Sequence, residues 1–111
     1  MFNTKKNKAL QALKEDVIAA LKTVFDPEIP VNIYDLGLIY DISIDKEFIV
    51  SIQMTLTSPG CPVAQTFPGI VEQRINQVEW VKDCSVELVW DPPWTNERMS
   101  EIARLELGIF Y

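Results

Sequence analysis

Cys61 is the residue of this chain best suited to chemistry. It lies in LTSPGCPVAQ, residues 56–65, after Gly60 and between Pro59 and Pro62. The chain holds two cysteines and no histidine, so a thiolate here is both its strongest nucleophile and its softest metal ligand. Asp26 and Glu28, in DPEIPVNIYDLG, add hard oxygen donors that suit a ligand or a base. The residues alone leave three readings of Cys61 open: an inert turn residue, a nucleophile, or a ligand.

Several catalytic sets are missing. Without histidine, no Ser-His-Asp or Cys-His arrangement exists within one chain. SPGCP matches neither the phosphate-binding loop nor the dinucleotide glycine pattern. Two cysteines do not make a disulfide framework, and they cannot fill the four positions of a structural zinc site. A metal held here must recruit carboxylates, a second subunit or another molecule. These absences argue against a self-sufficient hydrolase.

The 111 residues and a hydrophobic fraction of 48% suit one domain with a real core. Ten Lys and Arg stand against sixteen Asp and Glu, a net charge of −6. That argues against general nucleic-acid binding, which needs a basic face. Lys5, Lys6 and Lys8 are too few to reverse this and read as a solvated end, with residues 1–7 expected to be disordered. No stretch approaches the roughly 20 apolar residues that cross a bilayer. The start, MFNTKKNKAL, runs into an amphipathic pattern rather than a signal core. The expected location is the cytoplasm, with no membrane partner.

The elements that must position these residues follow from periodicity. Leu10, Leu13, Val17, Leu21 and Val24 predict a helix over 8–25, stopped by Asp26-Pro27. Residues 26–37 read as an ordered loop with a short turn at Ile33–Leu36. Strands are expected at 38–44 and 48–57. Leu38, Tyr40, Ile42 and Ile44 share one face of the first; Phe48, Val50, Ile52, Met54 and Leu56 share one face of the second, opposite Ser51, Gln53 and Thr55. Only 45–47 separates them, which makes an antiparallel hairpin. A second helix is expected from Pro62, with Val63, Phe67, Ile70, Val71, Ile75 and Val78 as its apolar stripe and a kink or restart at Pro68-Gly69. A third strand, 84–90, places Cys84, Val86, Leu88 and Trp90 on one face. After the corner 91–94, Thr95 is expected to cap a last helix packed through Met99, Ile102, Ala103 and 105–107 and ended by Gly108.

The order α-β-β-α-β-α predicts an α+β fold: a small three-stranded mixed sheet with helices packed on one face, in a single domain over 1–111. Cys84 reads as a core residue. A crossover makes the third strand parallel to the second. Three loops, 26–37, 57–62 and 91–94, then share one end of the sheet, the usual place for a site. Cys61 falls at the start of a helix, where the dipole lowers a thiol pKa; Asp26 and Glu28 at the same end oppose that shift. Asp26 equally suits a cap on the Pro27 turn, and Thr57 and Ser58 suit turn hydrogen bonds. Trp90 and Trp94 read as locks on the corner, with Trp94 suiting a partner surface if exposed. Tyr34, Asp35 and Tyr40 read as loop and sheet packing.

Three blocks, DPEIPVNIYDLGLIYDI, MTLTSPGCP and WDPPWTNERMSEIARLELG, together resemble the SufT and PaaD-like family of iron–sulfur cluster assembly factors. The resemblance covers about residues 10 to 109, with the blocks in order at the family's spacing. It implies a cytosolic, non-enzymatic accessory factor that helps mature iron–sulfur proteins, and it maps the family's signature positions onto Asp26, Pro27, Glu28, Thr57 and Cys61. PaaD proper resembles this domain followed by a cysteine-rich tail; the sequence ends at Tyr111, so the short SufT-like form is the expected match. One thiolate cannot fill the four cysteine positions usual for a cluster. The leading expectation is transient ligation of iron or a labile cluster by Cys61, assisted by Asp26 or Glu28, with a homodimer as one way to complete the ligand set. The implied partners are iron–sulfur scaffold or carrier proteins and client apoproteins. The rival readings are a non-metal adaptor that docks scaffold and client, and a thiol redox protein using Cys61.

Overall fold

The computed structural model describes residues 4–27, 29–57 and 66–108. Helix α1 spans Thr4–Leu21, strand β1 Ile39–Ile44, strand β2 Ile49–Met54, helix α2 Phe67–Asn76, strand β3 Asp83–Leu88 and helix α3 Glu101–Leu107, with a 3-10 turn at Asn96–Arg98 before α3. The sheet order is β1-β2-β3, with β1 antiparallel and β3 parallel to β2. This is the expected α+β order. Among the described residues, no helix is long and apolar enough to cross a membrane.

One face of the sheet builds the core. Val50, Ile52 and Met54 of β2 are fully buried and meet Leu13, Val17 and Leu21 of α1 and Val71 and Ile75 of α2 in one cluster. Each such aliphatic side chain contributes about 2 kcal/mol on leaving water. The other face is polar: Asp41, Ser43, Ser51, Gln53, Ser85 and Glu87 are exposed, and Gln53 Nε2 donates to Glu87 Oε1 at 3.2 Å.

Helix α1 begins at Thr4 rather than residue 8 and ends four residues before the expected stop. Thr23 Oγ1 donates to the Ala20 carbonyl at 2.6 Å. Val24–Asp26 then turn back as an extended arm, with Ile33 N bonded to Val24 O at 2.8 Å and Asp26 N to Val31 O at 3.1 Å. Val24 stays in the core without being helical, while Phe25 faces outward.

Both hairpin strands are shorter than the alternation predicts. The β1–β2 register slips between Ile39 and Asp41, a bulge that disrupts the expected face at Tyr40 while Ile42 and Ile44 keep it. Beyond Met54 the alternation fails as well. Thr55 was expected beside Ser51 and Gln53, yet it is 0% exposed and adjacent to buried Leu56, because Thr55 N bonds Leu38 O across the bulged end at 2.9 Å.

The hairpin turn holds Phe48 at φ 65°. Asp45 builds it: its carbonyl accepts Phe48 N at 3.0 Å, and its Oδ1 accepts Glu47 N at 2.8 Å and Ile49 N at 3.1 Å. Glycine or asparagine usually fills this position, and a phenylalanine there costs about 1 kcal/mol.

Helix α2 has Pro68 in its first turn, where a missing N–H is tolerated. Its buried face is Phe67, Val71 and Ile75, while Ile70, expected on that stripe, is exposed. The expected start at Pro62 and Val63 lies outside the described residues. Strand β3 ends at Leu88, so Trp90 leaves the sheet and faces outward, and Cys84 is buried as expected. Thr95 precedes only the 3-10 turn and makes no side-chain cap. Ser100 caps α3 instead, its Oγ accepting Ala103 N at 3.1 Å. Ala103 and Met99 are buried, whereas Ile102 and Leu105 are 60% and 59% exposed and do not pack inward. Gly108 ends α3 at φ 71°, as its position predicts.

Candidate functional site

The register defines two ends of the sheet. The hairpin turn closes one. At the other, Ile39 of β1, Met54 of β2 and Leu88 of β3 lie in one row. The segments leading into β1, out of β2 and out of β3 therefore gather there, as the element order predicts. Val89 N extends the row by bonding Met54 O at 2.8 Å.

A strap formed by 91–100 is tied onto the 33–37 turn. Trp94 Nε1 donates to Leu36 O at 2.7 Å, Ser100 N to Asp35 O at 2.8 Å, and Tyr40 Oη to Pro92 O at 2.8 Å. The Arg98 guanidinium lies 4.4 Å from the Tyr40 ring centroid, a cation–π contact. Gly37 makes this fit possible. Its φ is +84°, and a Cβ there would collide with the Arg98 carbonyl. Trp94 thus locks the corner, as expected, through a hydrogen bond that sequence cannot specify.

The 33–37 turn is itself built locally. Asn32 Oδ1 accepts Asp35 N at 2.8 Å, and Asn32 Nδ2 donates to Asp35 Oδ2 at 2.8 Å. Ile33 and Leu36 anchor it in the core. Asp35 therefore has a structural task beyond packing, and Asn32 is a positioning residue that periodicity did not single out. Its signal was Asn at the head of a turn.

Asp26 is 8% exposed. Its Oδ2 accepts Ile29 N at 2.8 Å, so the carboxylate caps its own loop, the bland role of an Asp-Pro pair. Thr57 lies three residues past Met54, half-buried at the same end. Glu28 and Cys61, with Ser58 and Pro62, lie outside the described residues. The structure places Asp26 and Thr57 of the four candidate positions. Among the described residues, no group of three Cys, Asp or Glu side chains is arranged to hold a metal ion.

Thr55 is the addition that sequence missed. Its Oγ1 is buried and has no hydrogen-bond partner among the described residues. A buried unpaired hydroxyl costs about 1–3 kcal/mol. It lies six residues before Cys61 in the chain. The alternation placed it on the polar face, so no sequence signal could have found it.

Cys84 cannot act as a second reactive thiol. Burial, then the Glu72 and Asp83 carboxylates, push its pKa up to about 12. Glu72 also closes the outer edge of β3, accepting Val86 N at 2.9 Å.

Comparison with known proteins agrees with this fold. A family model described as iron–sulfur cluster assembly protein matches residues 14–88. An Fe-S protein maturation auxiliary factor of Bacillus subtilis, YitW, is 46% identical over 89% of this chain and 97% of its own length. The Staphylococcus aureus Fe-S protein maturation auxiliary factor SufT is 38% identical over 78% of this chain and 98% of its own. The crystal structure of a domain of unknown function from Bacillus anthracis superposes with a TM-score of 0.85 at 39% identity, covering 94% of this chain and 99% of that one. The chain belongs to the family of iron–sulfur cluster assembly proteins, and within it to the SufT-like proteins.

Proposed function

We propose that this chain is a non-enzymatic auxiliary factor that helps deliver iron–sulfur clusters to client apoproteins in the cytoplasm. The observation that carries this reading is the match over most of the chain to relatives named as Fe-S protein maturation auxiliary factors. The cluster or iron is cargo, held by Cys61 once its thiol has lost its proton and the sulfur donates to iron. One thiolate holds such cargo weakly, which suits transfer to a partner with more ligands. Asp26, which also accepts Ile29 N in its own turn, or Glu28 assists as an oxygen ligand. The partners are a scaffold or carrier and a client, and a second copy of the chain is one way to complete the ligand set.

The second reading is an adaptor that docks scaffold and client at this end without touching metal. One observation favours it: the Asp26 carboxylate accepts Ile29 N within its own turn. A thiol redox role has less support, because Cys84 stays protonated up to about 12 and cannot resolve a disulfide.

Anaerobic reconstitution with iron and sulfide separates the readings. Bound iron and sulfide are quantified for the wild-type chain and for Cys61→Ser. Cargo on the wild type and none on the variant supports ligation. No cargo on either leaves the adaptor.

A further inference from the structure

The hairpin end of the sheet carries a second feature. A groove of about 290 Å³ lies there, lined by Ala9, Ala12, Leu13, Asp16, Phe48 and Trp80. Its floor is one side of α1, and its walls are two aromatic rings. Phe48 and Trp80 are the non-glycine residues with positive φ among the described residues, at 65° and 80°. The two turns are joined, because Lys82 N donates to Phe48 O at 3.0 Å. Bulky side chains rarely occupy left-handed backbone, and such strain clusters where a side chain is needed in place. Both strained residues here wall the same groove. Trp80 is 71% exposed, so burial in the core does not explain it.

The lining defines the occupant. Five of the six side chains are apolar, and the sixth is a carboxylate. Asp16 makes no hydrogen bond or ion pair among the described residues. A purely aliphatic guest would desolvate Asp16 without pairing it, and an acidic guest would repel it and a chain of net charge −6. A guest with an apolar stem and a cationic planar head satisfies every wall. The stem covers the alanine methyls, the head stacks on the rings and pairs with the carboxylate. The volume suits one large side chain rather than a cofactor.

We infer that this groove receives an arginine side chain presented by a partner protein. The groove contains neither Cys61 nor its loop, so the inference stands or falls independently of cargo binding.

The test titrates a capped Leu-Arg-Leu tripeptide into the isotope-labelled full chain and follows the Trp80 indole and the Ala9, Ala12 and Phe48 amides by NMR. The expected result is saturable shifts at these positions, with no response to Leu-Glu-Leu or Leu-Gln-Leu. Asp16→Lys and Trp80→Gly each weaken the affinity by about tenfold or more. Glycine holds φ 80° without strain, so Trp80→Gly removes the ring and keeps the backbone. No saturable shift, equal binding of Leu-Gln-Leu, or unchanged affinity in Asp16→Lys overturns the inference. Unchanged iron and sulfide loading in Asp16→Lys separates a failure here from a failure at Cys61.

Discussion

The two ends of the sheet use unusual backbone in opposite ways. At the loop end, the left-handed position is a glycine, Gly37, and the strap packs directly on it. The neighbouring polar groups are spent on structure: Asp26 on Ile29, Asn32 on Asp35, Trp94 on Leu36. At the hairpin end, the left-handed positions are Phe48 and Trp80, and the Trp80 ring is left in water. Among the described residues, the loop end is braced by its own hydrogen bonds. At the hairpin end, Phe48 packs against the core, whereas the left-handed Trp80 leaves its ring largely exposed. The exposed, strained Trp80 is the residue that points to a role toward another molecule.

Substitutions at the two ends should therefore differ in kind. Gly37→Ala has the largest expected effect. It adds a collision with the strap to a strained φ, and should cost roughly 3 kcal/mol in urea unfolding. A loss below about 1 kcal/mol would mean that the strap does not brace the 33–37 turn. Thr55→Val replaces an unpaired buried hydroxyl with a methyl of the same shape, and should raise stability by about 1–2 kcal/mol. A loss of stability would show that the hydroxyl has a partner in 58–65. Trp94→Phe keeps an aromatic ring but removes the bond to Leu36 O. It should cost about 1 kcal/mol and leave tripeptide binding at the hairpin end unchanged. Trp80→Gly should change stability least. Relief of strain offsets the greater freedom of the unfolded chain, leaving thermal unfolding within about 1 kcal/mol of wild type. A large loss would make Trp80 a structural residue and dissolve the contrast between the ends.

Element order, the hairpin, the parallel third strand and the shared loop end were all legible in the sequence, because each follows from period-two or helical spacing plus chain direction. The errors cluster where tertiary contacts override local pattern. The bulge near Tyr40 let Thr55 turn inward, although its spacing matched Ser51 and Gln53. Ile70, Ile102 and Leu105 lie on apolar stripes of helices whose buried arcs are narrower than the stripes. Thr95 looked like a cap, but the helix cap falls five residues later, at Ser100, after the 3-10 turn and Met99. At the site, Asp-Pro announced a turn, and Asp26 makes one. Spacing could not reveal the Trp94 bond across 58 residues, nor the groove, because nothing local marks Phe48 and Trp80 as left-handed.

Cluster delivery tests the central claim most directly. A loaded carrier protein is mixed anaerobically with an apo-ferredoxin, and the visible absorption of the filled client is followed with no addition, with the wild-type chain, and with Cys61→Ser. Acceleration by the wild type and none by a folded Cys61→Ser chain is the predicted result. Equal acceleration by both would contradict ligation by Cys61 and leave docking alone as the function of the loop end.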